Sequence, residues 1–308
     1  MASAPPILIF GPTASGKSAL ALSLAEQFHG VVINADSMQV YDELRILTAR
    51  PSLEDEQRVP HRLYGHVPAR EAYSAGRYVQ DVERALEAAR DADLRPILVG
   101  GTGLYFKAVL EGLSPVPPIP ADVRRHWRDL EIQQGAYALW TMLMHDDPDM
   151  ALRLEPNDGQ RIVRALEVFH ATGKSLAEWQ RMPGTPLIDA AGAIKLAMLP
   201  ERDELRARAD QRFAAMISAG GLSEAEDLAR LKLDPGLPAM HAIGVAPLIA
   251  VAAKKMPLQD AVLQAQAETR QYLKRQTTWL KSNMITWKHI STTSTESSLV
   301  DSLAFIQS

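Results

Sequence analysis

The octapeptide Gly11-Pro-Thr-Ala-Ser-Gly16-Lys17-Ser18 constrains this chain more than any other stretch. It fits G-x-x-x-x-G-K-[ST] in full. The apolar run Ile7–Phe10 stands directly before it, and Leu20, Leu22, Leu24, Ala25 and Phe28 follow at helical spacing. Strand, glycine-rich turn and helix is the context in which this pattern binds phosphate. The glycines let successive N–H groups curl inward at the positive end of a helix. Lys17 adds a point charge for an outer phosphate and Ser18 a hydroxyl for Mg²⁺. Gly11, Pro12, Thr13, Ala14, Ser15, Gly16, Lys17 and Ser18 are therefore the expected polyphosphate cradle, with Ser18 the expected metal ligand.

Two further apolar runs, Val31–Ile33 and Pro96–Val99, are separated by an amphipathic helical pattern over Tyr78–Arg90. Strands alternating with helices predict a parallel sheet covered on both faces. The composition changes at Ser114–Pro120, where four of seven residues are proline. Beyond it the patterns are helical (121–134, 136–144, 148–154, 158–172 and 176–180), and Ile194–Leu199 alternates weakly, as a strand returning to the sheet would. The fold class expected is α/β: a P-loop NTPase-like parallel sheet core with an inserted all-helical domain. The boundaries expected are 1–114 for the first part of the core and 115–198 for the insertion. Residues 199–290 complete the core with a basic C-terminal helix, and 291–308 form a flexible Ser/Thr-rich tail.

The chain has 308 residues and no cysteine, which fits a reducing compartment. The opening MASAPP lacks a basic n-region, and no apolar run approaches the roughly 18 residues of a membrane helix. A cytoplasmic protein without a membrane partner is expected. The net charge is −4, yet residues 251–290 hold seven Lys or Arg against two acids. That stripe reads as a solvated helix face or as a phosphate-docking surface.

A phosphate loop alone does not specify ATP. An ordinary P-loop NTPase pairs it with an apolar strand ending in Asp. Here the best later strand ends in Gly100-Gly101-Thr102-Gly103, and the acid nearest a strand end is Asp36. Asp36 reads equally as a base facing an acceptor and as a loop aspartate or helix cap.

Taken in order, Gly11–Ser18, Asp36-Ser-Met-Gln-Val-Tyr41 and Gly100-Gly-Thr-Gly-Leu-Tyr105 resemble the tRNA dimethylallyltransferases, also called tRNA isopentenyltransferases. Pro60-His61 and Tyr73-Ser-Ala75 are similar to the family's segment between the second and third strands. Gln160-Arg-Ile-Val-Arg164 and Thr172-Gly-Lys174 resemble its inserted helical domain, and Thr269–Gln276 with Thr278-Trp279 its basic helix. The likeness runs from about residue 7 to 281. Val245 departs from it where an aromatic is usual, and Leu273 where a smaller residue is usual. The chain has no Cys-and-His zinc finger, so the likeness is to the bacterial type.

The resemblance implies dimethylallyl transfer from its diphosphate to N6 of the adenosine 3′ of the anticodon in tRNA, with Mg²⁺. It implies Asp36 as general base, Thr102 as partner of the bridging oxygen, and Arg212 as a further cation on the leaving diphosphate. It places Asp36, Ser37, Met38, Gln39, Thr102, Arg124, Gln160, Arg161, Ile162, Val163 and Arg164 against the anticodon stem-loop. Arg270, Lys274 and Lys281, on one side of the basic helix, are expected on its phosphates. A monomer is expected. Three alternatives stay open on the residues alone: a small-molecule kinase of shikimate or gluconate type, a prenyltransferase acting on free adenine nucleotides, and a non-catalytic RNA-binding protein with a relic P-loop.

Overall fold

The computed structural model describes residues 4–292 and 294–307. Met1–Ser3, Thr293 and Ser308, on which parts of the N-terminal and tail expectations fall, lie outside the described residues.

The first half of the core runs β1 (Ile7–Phe10), α1 (Lys17–Gln27), β2 (Gly30–Asn34), α2 (Leu53–Arg58), β3 (His61–Arg62), α3 (Ala75–Asp91), β4 (Arg95–Gly100) and α4 (Gly103–Glu111). The helices α5 (Ala121–Asp146), α6 (Pro148–Ala151), α7 (Gly159–Thr172) and α8 (Leu176–Trp179) follow. The chain returns as β5 (Ile194–Met198), then α9 (Arg202–Ser218), α10 (Gly221–Arg230), α11 (Val245–Ala252), α12 (Leu258–Asn283), β6 (Lys288–Ile290) and α13 (Thr295–Ile306).

All strand pairs are parallel, in the order β3-β2-β4-β1-β5-β6. Ile7, Leu8, Ile9 and Phe10 are all fully buried, as a central strand covered on both faces requires. Alternate side chains divide between two cores. Leu8 and Phe10 join Tyr78 and Val82 of α3, Phe106 of α4 and Leu280 of α12. Ile7 and Ile9 join Leu20 and Leu24 of α1 on the other side. A third core, built from Tyr41, Leu44, Phe213, Val245 and Leu248, lies among α9, α10, α11 and α12. Val245 is fully buried there, so the departure from an aromatic is accommodated inside this core.

The chain divides into a unit of 1–110 with 187–308 and a helical unit of 111–186. The expected insertion boundary, at 198, overlaps the segment Ile194–Leu199 that is itself expected to return to the sheet. β5 pairs with β1 from Ile7↔Ile194 to Phe10↔Ala197, so the boundary falls before it. The weak alternation of the IKLAM segment is that of a strand, and its pairing with β1 places it in the core.

The C-terminal segment corrects a second expectation. Residues 291–308 were expected as a flexible tail, but 295–306 form α13. Ser294 caps its start by accepting from the Ser297 N–H. Leu299, Leu303 and Ile306 pack against the core of α1. Ser298 and Ser302 are fully buried, and their hydroxyls donate to main-chain carbonyls of Thr292 and Ser298. Serine-rich composition conceals a helix whose small residues permit close packing.

The helical unit is built on α5 and α7. Gly135, at φ 79°, kinks α5 where the sequence places a break between two helices. Leu139, Leu143, Ile162, Leu166 and Trp127 form its core. Trp140 Nε1 donates to the Ala151 carbonyl at 3.1 Å.

Candidate active site

Three turns at the carboxyl ends of adjacent parallel strands build the site, where a doubly wound sheet places its ligands. The phosphate loop follows β1, the Asp36 turn follows β2, and Gly101–Gly103 follows β4. Main-chain bonds tie them together. The Gly11 N–H donates to the Gly100 carbonyl, Ala35 to Val99 and Thr102 to Ala35. A Cβ on Gly100 would lie 2.0 Å from the Ala35 carbonyl oxygen, so close approach of two turns demands glycine here.

The phosphate loop has the conformation its sequence requires. Gly16 caps α1 at φ 90°, a left-handed geometry suited to glycine. Lys17 is buried and its Nζ donates to the Pro12 carbonyl at 3.3 Å. Ser15 Oγ is buried without a hydrogen-bond partner, an orphan inside a loop shaped for anions. Ser18, in the first turn of α1, is exposed.

Asn34 folds the Asp36 turn. Its amide accepts from the Asp36 N–H at 2.8 Å and donates to the Asp36 and Leu63 carbonyls. Asp36 then accepts from the Met38 N–H at 3.0 Å. Thr102 Oγ1 accepts from the Ser37 N–H at 3.0 Å and donates to Ser37 Oγ at 3.3 Å. The two expected catalytic turns are thus joined directly.

Asp36 faces cations from two elements. Burial pushes the Lys17 ammonium down to about 8, the Asp36 charge opposes that shift, and Arg212 reinforces it. Burial likewise lowers Arg212, again opposed by Asp36. Desolvated, mutually repelling cations form a site that gains from a polyanion. Burial, followed by the Asp36 charge, raises the phenols of Tyr64, Tyr105 and Tyr272. These phenols stay protonated at neutral pH.

A cleft of ≈ 190 Å³ opens here, lined by Thr13, Asp36, Ser37, Met38, Arg212, Tyr272 and Arg275 among others. A larger groove of ≈ 530 Å³ lies beside α10, lined by Glu43, Glu224 and Asp227. Its carboxylates Glu224 and Glu43 hold the Arg45, Ile46, Leu47 and Ala69 amides, so it offers an anion nothing. The smaller, cation-lined cleft is the candidate site.

The other expected binding residues divide. Arg124, Gln160 and Arg161 are exposed in the helical unit, and Arg161 Nε stands 3.4 Å from Asp158. Arg164 is half-buried and pairs at 3.3 Å with Glu167, a buried carboxylate that Arg128 also approaches at 3.5 Å. Ile162 and Val163 were expected at the RNA. Their side chains instead fill the helical unit's own core, as the apolar stripe of α7 requires. Gln39 spends its amide on the Thr48 and Ala49 carbonyls, which fixes the following loop. Arg270 Nη1 bonds both Asp210 oxygens at 3.0 and 3.1 Å, joining α12 to α9. Lys274 and Lys281 remain exposed on α12.

Sequence reasoning assigned no role to Tyr272 and Gln276. Tyr272 adjoins the side chains of Thr102 and Gln276, and burial followed by the Asp36 charge raises its phenol. Gln276 accepts from the Thr13 N–H at 2.9 Å and donates to the Gly101 carbonyl at 3.0 Å. The signal was present: Thr269, Tyr272 and Gln276 are polar residues on the face of α12 that also carries Ala265, Leu273 and Leu280. Leu273 packs with Leu205 and Ala209 of α9 and with Ala14 of the phosphate loop.

The sequence model of the IPP transferase family matches residues 39–283. A tRNA dimethylallyltransferase of Agrobacterium fabrum is 52% identical over 278 residues, covering 90% of this chain and 93% of that one. The crystal structure of the full-length tRNA isopentenylpyrophosphate transferase of Bacillus halodurans aligns with a TM-score of 0.70 at 28% identity, over 98% of this chain and 95% of that one. A eukaryotic dimethylallyltransferase captured acting on tRNA aligns with a TM-score of 0.76 at 30% identity, over 92% and 71% respectively. A phosphate-loop sheet, an acidic acceptor turn and relatives alike over nine-tenths of the length lead to one conclusion: this chain belongs to the IPP transferase family.

Proposed function

We propose that this chain transfers the dimethylallyl group of dimethylallyl diphosphate to N6 of the adenosine 3′ of the anticodon in tRNA, releasing diphosphate. The observation that carries this reading is the cleft lined by Asp36, Ser37 and Arg212, with Thr102 bonded to Ser37 and the buried Lys17 within the field of Asp36. Membership of the IPP transferase family supports it.

The residues supply each part of the reaction. The N6 lone pair forms a bond to the first allyl carbon. The bond from that carbon to oxygen breaks, and its electron pair leaves with the diphosphate. Asp36 takes the N6 proton. Charge grows on the diphosphate as it departs, and the phosphate-loop N–H groups, Lys17 and Arg212 stabilise it. Thr102 donates to the bridging oxygen. Before the donor binds, Asp36 shares the field of both cations. The incoming diphosphate draws them off and frees the carboxylate for the amine.

Mg²⁺ is proposed to enter with the donor. Ser18 offers one exposed hydroxyl beside the cradle, and among the described residues no cluster of three His, Cys, Asp or Glu could hold a metal. One hard oxygen completed by phosphate oxygens and water fits Mg²⁺, which keeps most of its hydration and binds with substrate phosphates. Such an ion neutralises charge on the diphosphate.

The adenine must leave its stack to reach the cleft, so base flipping is part of the reading. Arg124, Gln160, Arg161 and Arg164 of the helical unit, with Lys274 and Lys281 of α12, are proposed to hold the anticodon stem-loop. No helix among the described residues is long and apolar enough to cross a membrane. The enzyme is proposed to work as a cytoplasmic monomer.

The test incubates the protein with Mg²⁺, dimethylallyl diphosphate and unmodified tRNA, with AMP in parallel, and identifies the modified nucleoside by mass spectrometry. Prenyladenosine at the position 3′ of the anticodon is expected, and substituting guanosine there should abolish it. Prenyl-AMP alone would make this a free-nucleotide prenyltransferase. No transfer, with ATP turned over onto a small acceptor, would make it a kinase.

A further inference from the structure

We infer that Gln276 is a positioning residue that sets the phosphate loop against the Gly100–Gly103 turn from the basic helix α12. The inference rests on the prenyl-transfer reading and deepens it.

The geometry is specific to a primary amide. Gln276 is 3% exposed, so its polar atoms must find partners inside the protein. Its Oε1 accepts from the Thr13 N–H and its Nε2 donates to the Gly101 carbonyl. One planar group thus closes a bridge between two loops more than eighty residues apart in sequence. Neither a hydroxyl nor a carboxylate of that length presents an acceptor and an N–H donor in one fixed plane. Tyr272, one helical turn earlier, adjoins both Gln276 and Thr102. Thr102 in turn holds Ser37 beside Asp36. The face of α12 opposite its exposed lysines therefore holds two of the site-forming turns directly, and Thr102 links them to the third.

Gly101 supplies an independent observation. It does not adopt a left-handed φ, so its backbone alone does not demand glycine. A Cβ there would lie 2.1 Å from Gln276 Nε2. A side chain at the second glycine of Gly100-Gly101-Thr102-Gly103 would push the amide of Gln276 out of that space. Gly103 meets the same helix, since its Cβ would fall 1.2 Å from Trp279 Nε1.

A phosphate loop misplaced by about 1 Å costs on the order of 10² in rate even when no reacting group is lost. Gln276 touches no reacting atom, so its removal should spoil the diphosphate cradle and leave RNA contacts alone.

The experiment compares the parent with Gln276→Met, which keeps length and bulk but neither hydrogen bond, and with Gly101→Ala, which keeps Gln276 and displaces its amide. Three quantities are read for each: affinity for inorganic pyrophosphate with Mg²⁺, single-turnover transfer rate, and RNA affinity. Both variants are expected to weaken pyrophosphate binding about tenfold and slow transfer about 10²-fold, with RNA affinity within a factor of two of the parent. Thermal melting checks that each is folded. Parent-like pyrophosphate affinity in both folded variants would overturn the inference, as would equal losses of pyrophosphate and RNA affinity. If the parent transfers no prenyl group to RNA, the functional reading fails. The pyrophosphate comparison then still decides the role of Gln276.

Discussion

Arginine occurs in two physical situations in this molecule. In the α/β unit Arg212 lines a cleft, is desolvated, and feels Asp36 and Lys17. In the helical unit Arg161 and Arg124 stand in solvent, and Arg161 has only a surface partner in Asp158. A desolvated charge acts strongly on one atom at short range. A solvated charge contributes a screened attraction for a polyanion that many residues share. The contrast separates chemistry from grip. Changes in the first unit should alter the rate of the bond-making step, and changes in the second should alter RNA affinity and its salt dependence.

The largest effect is expected at Asp36. Asp36→Ala should slow transfer roughly 10²–10⁴-fold with RNA affinity nearly unchanged, as rapid-quench kinetics with saturating RNA would read. Transfer near the parent rate would remove Asp36 as the base. Thr102→Val should cost on the order of 10²-fold, because it deletes one proposed donor to the leaving group and strands the Ser37 N–H. Thr102→Ser, which keeps the hydroxyl, should recover most of that loss. If serine does no better than valine, the methyl rather than the oxygen is what matters.

A smaller effect is expected from pH. Lys17 is pushed down to about 8, so in the free enzyme it is cationic below that pH and loses its proton as pH rises through it. Pyrophosphate affinity should fall above about pH 8 relative to Lys17→Arg, whose guanidinium stays charged. Parallel profiles for parent and Lys17→Arg would show that Lys17 is not the titrating group.

The smallest effects are expected from the exposed cations. Lys274→Ala should weaken RNA binding modestly and lower the slope of log affinity against log salt by about one, with the saturated rate unchanged. Arg270→Ala is a contrast on the same helix. Its partner is Asp210, so it should lower thermal stability more than it changes the salt slope.

Much of this was legible in the sequence because local chemistry dictated it. The phosphate loop, the three flanking strands and the Asp36 and Gly100–Gly103 turns announce themselves through glycine, apolar runs and charge. What was hidden depended on partners distant in sequence. The six-residue α2, with its Ser52–Asp55 capping box, is too short to show a period. α13 was masked by serines that only a neighbouring helix makes useful. Gln276 looked like one polar residue in a basic helix until Thr13 and Gly101 were found against it. The burial of the Ile162 and Val163 side chains was equally hidden, since a likeness spanning Gln160–Arg164 does not say which residues of a helix turn inward.

The most direct measurement takes parent, Asp36→Asn and Arg161→Ala in one buffer and determines the single-turnover transfer rate and RNA dissociation constant of each. Asp36→Asn keeps an acceptor for the Met38 N–H and removes the proposed base. The account expects it to slow transfer at least about 10²-fold with parent-like RNA affinity. Arg161→Ala should weaken RNA binding and transfer at the parent rate once RNA saturates. If both variants change the same quantity, the division between chemistry in the α/β unit and grip in the helical unit is wrong.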